Sequence, residues 1–339
     1  MITISLCMIV KNEEKLLPRC LDTIADLVEE LIIVDTGSTD KTMQLAAAYP
    51  NVKLYEFQWI GDFAAARNFA FSKATQEYIY SADADEVLDE TNRERFRILK
   101  ETLLPEVEIV QMKYGNQLQF GTVYNYDEEY RPKLFKRQRS FVWEGAIHET
   151  ICTMPVIYDS DIVITHMPED SHAGRDFAAF ERLVQKGERL SKRLHNMYAK
   201  ELFIAGKDED FVRAGGFFEE SAQDTDRDGE EVKEACLIAA AAARRKGDTY
   251  RFFKYAIKVI ADKGCSEICC ELGDFYAENQ DYEEAIIWYY NACYETEALL
   301  SLKSKGAKTL EKLAVCYEKL GMPEPAESYR EEIRRLAYW

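Results

Sequence analysis

The stretch Tyr78-Ile79-Tyr80-Ser81-Ala82-Asp83-Ala84-Asp85-Glu86 decides how the chain is read. Tyr78–Tyr80 is a short aromatic and β-branched run, the signature of a buried strand, and it ends on a cluster of acids. In an extended backbone, side chains two apart share a face. Asp83 and Asp85 are therefore expected to point the same way with the small Ala84 between them. Two converging carboxylates repel and are costly to desolvate. A hard divalent cation, Mg²⁺ or Mn²⁺, would reconcile them by bridging to an anionic ligand; a solvated acidic turn is the bland alternative.

The flanking sequence sets the context. Ile2–Val10 is almost continuously apolar, as for a strand buried on both faces. Leu16, Leu17, Cys20, Leu21, Ile24 and Leu27 follow at helical spacing. Glu30–Asp35 is a second strand, followed by the cap-rich Thr36–Asp40 and a helix through Ala48. Val52–Phe57 is a third strand, and Asp62–Ala74 is a helix with a small-residue face suited to close packing. Alternation of this kind predicts a parallel α/β sheet, whose ligands bind beyond the carboxyl ends of the strands. Asp35, Asp83 and Asp85 all fall at such ends. A helix near Thr91–Thr102 comes next. Short strand-like runs at Val107–Tyr114, Lys133–Lys136, Phe141–Trp143, Ile147–Ile151 and Ile162–His166 then predict a mixed, partly antiparallel half.

Beyond that point the chain is almost wholly helical. Polar breaks recur at Gly206, Gly247, Gln280 and Gly321, every 33 to 41 residues, within the range of helix-hairpin arrays. Two domains are expected, residues 1–166 and 167–339. Tyr282, Trp288, Tyr289, Tyr290 and Tyr294 form an aromatic stripe read as interhelix packing; a concave peptide-gripping face or a homodimer contact is the functional alternative.

Composition narrows the class. A formal net charge of −18 argues against a nucleic-acid partner bound through a basic surface. The first residues lack the basic start of a signal peptide, and no apolar run approaches the ~18–20 residues of a membrane span. Nine scattered cysteines suggest reduced thiols and a cytoplasmic protein.

Five motifs in order carry a family resemblance: Met8–Glu14, Ile32–Thr42, Asp62–Ala70, Ser81–Glu86 and Trp143–Glu149. Together they resemble the nucleotide-sugar-binding domain of family 2 inverting glycosyltransferases. The layout, with helical repeats behind, is similar to the SunS-like branch, whose members glycosylate peptides, some on cysteine. The helical half resembles tetratricopeptide repeats. The resemblance implies a Rossmann-like, GT-A type mixed sheet domain followed by an all-α repeat domain. It implies a UDP-sugar donor, Mg²⁺ or Mn²⁺, and a peptide or protein acceptor, with a lipid-linked or surface glycan as the alternative. A repeat scaffold carrying a silenced transferase domain is the non-enzyme alternative.

Site residues follow from the same resemblance. Val10, Lys11 and Glu13 would line the nucleoside pocket, and Asp35 would accept from the uracil N–H; Glu13 as a first-turn helix charge and Asp35 as a helix cap are the structural readings. Arg67, on the helix before the acidic loop, suits ribose, base or diphosphate oxygens. Asp83 and Ala84 would face the donor, and Asp85 would be the direct metal ligand, joined by Asp83 and by His166 as a late third ligand, with a structural histidine as the other reading of His166; Glu86 would lie behind the metal or cap the following helix. Glu149 or Glu144 would be the general base, with His148 on the acceptor or diphosphate side. Trp143 would stack on a sugar or pack in the core, and His172 and His195 are read as structural. The commoner ED and QxxRW pattern of processive members is absent, which argues against polymer synthesis.

Overall fold

The computed structural model describes residues 1–115, 129–145, 149–151, 155–167, 173–187 and 189–336; His148 and His172 lie outside the described residues. The chain divides into two compact units, Met1–His172 and Ala173–Trp339. In the first, β1 (Ile4–Val10), α1 (Leu16–Ile24), β2 (Glu30–Asp35), α2 (Thr42–Ala46) and β3 (Val52–Glu56) follow in turn. Then come α3 (Phe63–Lys73), β4 (Tyr78–Ser81), β5 (Glu86–Val87) and α4 (Glu90–Thr102). The unit continues with β6 (Ile109–Gly115), β7 (Glu129–Lys136), β8 (Trp143–Glu144), β9 (Thr150–Ile151) and β10 (Ile157–His166).

Eight strands form one sheet in the order β3-β2-β1-β4-β7-β6-β10-β5. The β3-β2-β1-β4 half is parallel. Strand β7 then runs antiparallel to both β4 and β6, so the sheet is mixed. β8 and β9 form a separate antiparallel ribbon. The alternation of β1 explains the layering. Ile4, Leu6, Met8 and Val10 pack with Leu17 and Leu21 of α1 and Phe96 of α4. Cys7 points to the opposite face with Ile32, Val34 and Ile79, beneath Ala70 and Phe71 of α3. The small residues of α3 let it sit close to the sheet, and the Cys7 thiol lies 3.5 Å from the Ala70 carbonyl oxygen.

Two strands are longer than their apolar runs suggest. The Lys133–Lys136 run is the end of the eight-residue β7, and Ile162–His166 is the end of the ten-residue β10. Their first residues are polar or exposed, so side-chain pattern does not mark them; backbone pairing to β6 does.

The second unit is helical: α5 (Ala173–Gln185), α6 (Lys192–Ala205), α7 (Asp208–Ser221), α8 (Gly229–Arg245) and α9 (Thr249–Ala261). It continues with α10 (Ser266–Glu278), α11 (Tyr282–Tyr290), α12 (Ala307–Lys319) and α13 (Pro323–Leu336). All four polar breaks fall between consecutive helices. Three of them share one hydrogen-bond pattern. Gly247, Gln280 and Gly321 adopt φ of 72°, 63° and 74°. The next residue's N–H then reaches back to the carbonyl of Ala243, Tyr276 or Tyr317, each at 2.9 Å. This is the Schellman closure, and Asp248 and Asp281 cap the helices that follow.

His195 links three of these helices. It hydrogen-bonds Ser221 at 2.8 Å and Glu234 at 3.2 Å. The order of groups is that of a nucleophile, base and acid, but His195 is fully buried and Ser221 nearly so. No substrate reaches that hydroxyl, so the chain is structural. Among the described residues, no helix is long and apolar enough to cross a membrane, and the described cysteines are free thiols.

Gly273 of α10 faces the buried ring of Tyr289, which a Cβ would meet at 2.6 Å. A Gly→Ala change in a helix interior normally gains about 1 kcal/mol. Overpacking a buried ring costs roughly 1–3 kcal/mol, and Tyr289 is pinned by a 2.6 Å hydrogen bond to Asp274. Gly273→Ala is therefore expected to lower stability, as a decreased urea midpoint.

Candidate functional site

The parallel strands β1, β2 and β4 end together, and the strand order reverses between β1 and β4. A crevice at such a switch point is the ordinary ligand site of an α/β sheet. Val10 and Asp35 are register partners at the ends of β1 and β2. The Asp35 carboxylate is buried and accepts from the N–H groups of Gly37 at 3.2 Å and Ser38 at 3.0 Å. The helix-cap reading of Asp35 is not met, because the next helix starts only at Thr42; the carboxylate instead closes a turn in its own loop, which fixes it at the end of β2. Thr36 donates its N–H to the Val10 carbonyl at 3.0 Å. Asn12, with φ of 57°, accepts from the Thr39 N–H at 2.7 Å, and its own N–H donates to Ser38 Oγ at 2.9 Å. The Glu13 N–H donates to Thr42 Oγ1 at 2.7 Å. These bonds stitch the loop after β1 to the loop after β2, leaving Lys11 exposed at the rim and Glu13 half-buried.

The acidic loop does not stay extended. After Ser81 the backbone turns, closed by the Glu86 N–H donating to the Asp83 carbonyl at 3.2 Å. Asp83 and Asp85 consequently do not share a side, against the expectation from strand alternation. Asp83 faces Arg67, with Oδ1 2.8 Å from Nη2. Asp85 faces His166, with Oδ2 3.0 Å from Nε2. Ala84 between them is buried in the core beneath the loop. His166 reaches this point because β10 runs antiparallel to β5, pairing His166 with Glu86. The Asp85 carbonyl also accepts from the Met167 N–H at 2.9 Å.

Arg67 is the hub on the other side. Its Nε pairs with Glu149, Nη1 lies 3.3 Å from Ser81 Oγ, and the guanidinium sits 5.2 Å from the Trp143 ring centroid. Burial opposes its charge, but Asp83 and Glu149 outweigh that and push its pKa further up. Burial likewise raises the Asp83 carboxyl, while Arg67 and Lys133 pull it well below the ordinary carboxylate range. The neighbouring Asn68 clamps the ribbon: its amide donates to the Trp143 carbonyl at 2.9 Å and accepts from the Trp143 N–H at 2.8 Å. The Trp143 ring packs on Phe71 and Phe135, favouring its core reading. Glu144 is exposed on the ribbon, Glu149 is held by Arg67, and His148 is outside the described residues.

Whether these residues suit a divalent cation can be judged from the donors. Asp85 Oδ1 is buried and has no hydrogen-bond partner among the described residues, although its other oxygen meets an imidazole. A carboxylate and a histidine nitrogen side by side suit Mn²⁺ or Mg²⁺, with phosphate and water completing the shell. Among the described residues, no group of three or more acidic, His or Cys side chains is arranged so as to hold a metal ion by itself. Asp83, also expected as a ligand, has its Oδ1 on Arg67. Lys133, which forms a buried pair with Glu86 beneath the same loop, carried no site expectation, whereas Glu86 was expected behind the metal or as a cap of the following helix. A lysine directly before the apolar Leu134-Phe135 pair was the available signal.

The first unit is a mixed α/β sheet domain with the candidate site at its strand ends, and a helical unit follows it in the chain. Residues 5–162 match the family model for glycosyl transferase family 2, and this segment is a family 2 glycosyltransferase domain. A TPR repeat-containing protein of Synechococcus elongatus is 50% identical over 88 residues, 26% of this chain and 22% of that one. The SPbeta prophage-derived glycosyltransferase SunS of Bacillus subtilis is 30% identical over 148 residues, 43% of this chain and 34% of that one. The chain thus matches about a fifth to a third of these relatives' lengths. Glucosyl-3-phosphoglycerate synthase from Mycobacterium tuberculosis, crystallised with Mn²⁺, UDP and glucosyl-3-phosphoglycerate, superposes with a TM-score of 0.39 and 14% identity, over 56% of this chain and 82% of that one.

Replacing Arg67 by Met would leave Asp83 and the largely buried Glu149 unpaired, and should cost about 3 kcal/mol at neutral pH. The depressed Asp83 pKa stabilises the fold above the unfolded carboxylate value of about 3.9 and loses that contribution as pH falls. The stability gap between wild type and Arg67→Met should therefore shrink below about pH 4, which thermal melts across pH would reveal.

Proposed function

We propose that this protein transfers a sugar from a UDP-sugar to an acceptor, a peptide or protein side chain, with metal dependence and inversion at the anomeric carbon. The observation that carries the reading is Asp85 with a buried, unpartnered oxygen beside His166, at the strand ends where Asp35 also lies. Asp85 and His166 would hold Mg²⁺ or Mn²⁺, which when bound supplies positive charge for the departing diphosphate. Asp35 and the stitched loop around Val10, Lys11 and Glu13 would receive the uridine. Arg67 holds Asp83 in place and offers its remaining donor capacity to ribose or phosphate oxygens.

In this reading the acceptor atom forms its bond to the anomeric carbon from the face opposite the leaving group. The bond to the diphosphate breaks, and UDP departs with the electron pair. The acceptor proton passes to a ribbon carboxylate. Glu149 serves once Arg67 turns to the donor; Glu144, exposed on β8, is the other candidate. The peptide class of acceptor rests on the SunS-like resemblance.

Asp85→Ala should reduce transfer at least about 100-fold, the scale of losing charge stabilisation, and EDTA should do the same reversibly. Full turnover in EDTA would refute the metal reading. A thermal-shift panel of nucleotide sugars with and without Mn²⁺ should single out one donor, because a ligand of the native state raises the melting temperature. Glu149→Gln and Glu144→Gln should separate as base and bystander, the former role costing about 10²–10⁴-fold in kcat. Intact-mass analysis of peptide and glycolipid acceptors then decides the acceptor class.

A further inference from the structure

Lys133 occupies a register break in β7. Val110 of β6 pairs with Leu134, and Gln111 pairs with Pro132, so Lys133 is the extra residue of a β-bulge. Bulges bend a strand and re-aim one side chain, often beside an active site. Here the bulge directs Lys133 beneath the acidic loop. Its ammonium pairs with the Glu86 carboxylate, lies 3.3 Å from the Ser81 carbonyl oxygen and sits 5.3 Å from the Tyr114 ring centroid. Both partners are inside the protein, with side chains 7% and 3% exposed.

Ser81 is the last residue of β4 and Glu86 the first of β5, so one ammonium holds both ends of the loop that carries Asp83 and Asp85. Glu86 lines a small pocket with Cys20, Thr23, Tyr80 and Leu88, and its second oxygen has no partner among the described residues. A buried ion pair is weak as a source of stability, since an apolar pair of the same volume does as well or better. A buried lysine spent here is better explained by what it orients.

We propose that Lys133 is the positioning residue of the metal-binding loop, setting the span from Ser81 to Glu86 so that Asp85 faces His166 while Asp83 faces Arg67. The inference rests on the metal-dependent reading above. Its test is Mn²⁺ binding by the full chain in the presence of UDP, followed by the electron paramagnetic resonance of free Mn²⁺, with no turnover involved. Lys133→Met leaves Glu86 buried without its cation and is expected to destabilise. The double variant Lys133→Met/Glu86→Gln keeps the net charge and removes the ion pair whole, and its urea midpoint should return toward wild type. Both variants should bind Mn²⁺ about 10–100-fold more weakly, the usual cost of losing a group that orients a ligand. A folded double variant with wild-type Mn²⁺ affinity would overturn the positioning role and leave the metal reading standing. Absence of Mn²⁺ binding by the wild-type protein would overturn both.

Discussion

Three carboxylates within four residues, Asp83, Asp85 and Glu86, are packed at the end of the central strand. At an effective dielectric of about 20, two such charges roughly 5 Å apart repel by about 3 kcal/mol. The fold answers by giving each carboxylate a different partner from a different element. Arg67 of α3 takes Asp83, His166 of β10 takes Asp85, and Lys133 of β7 takes Glu86. The turn after Ser81 makes this possible, because an extended loop would have aimed Asp83 and Asp85 at the same neighbour.

The sheet serves this arrangement. The parallel half brings the ends of β1, β2 and β4 to one edge, where Asp35 and the loop around Asn12 are held by backbone hydrogen bonds. The mixed half delivers the partners. Strand β7 inserts antiparallel beside β4 and carries Lys133, while the antiparallel pairing of β10 with β5 delivers His166. Asn68, next to Arg67, ties the ribbon that bears Trp143 to α3, so a single helix anchors both the acidic loop and the ribbon.

The helical unit follows a simpler rule. Its turns repeat one closure, a left-handed residue at Gly247, Gln280 or Gly321. Glycine takes that conformation at no steric cost, which is why two of the three positions stood out as breaks. Gln280 adopts it without that freedom, and Asp281 after it caps the next helix. Burial of Gly273 against Tyr289 shows the same unit packing at close range, where one methyl group is too much.

The strands β1 to β4, the helices between them and the helical character of the second unit were legible in the chain, because burial on both faces and helical spacing are local signals. The acidic loop, Arg67, Asp35 and His166 could be singled out as candidates for the same reason: residue type and order marked them. Their geometry was not legible. Alternation predicted that Asp83 and Asp85 would converge, but a turn held by one backbone hydrogen bond sent them apart. Lys133 gained its place only through a bulge against β6, a register decision made by a strand more than 15 residues away. Local composition determines which segments become strands and helices; which side chains meet is decided by pairing between segments distant in sequence, because only the closed sheet fixes the register that aims them.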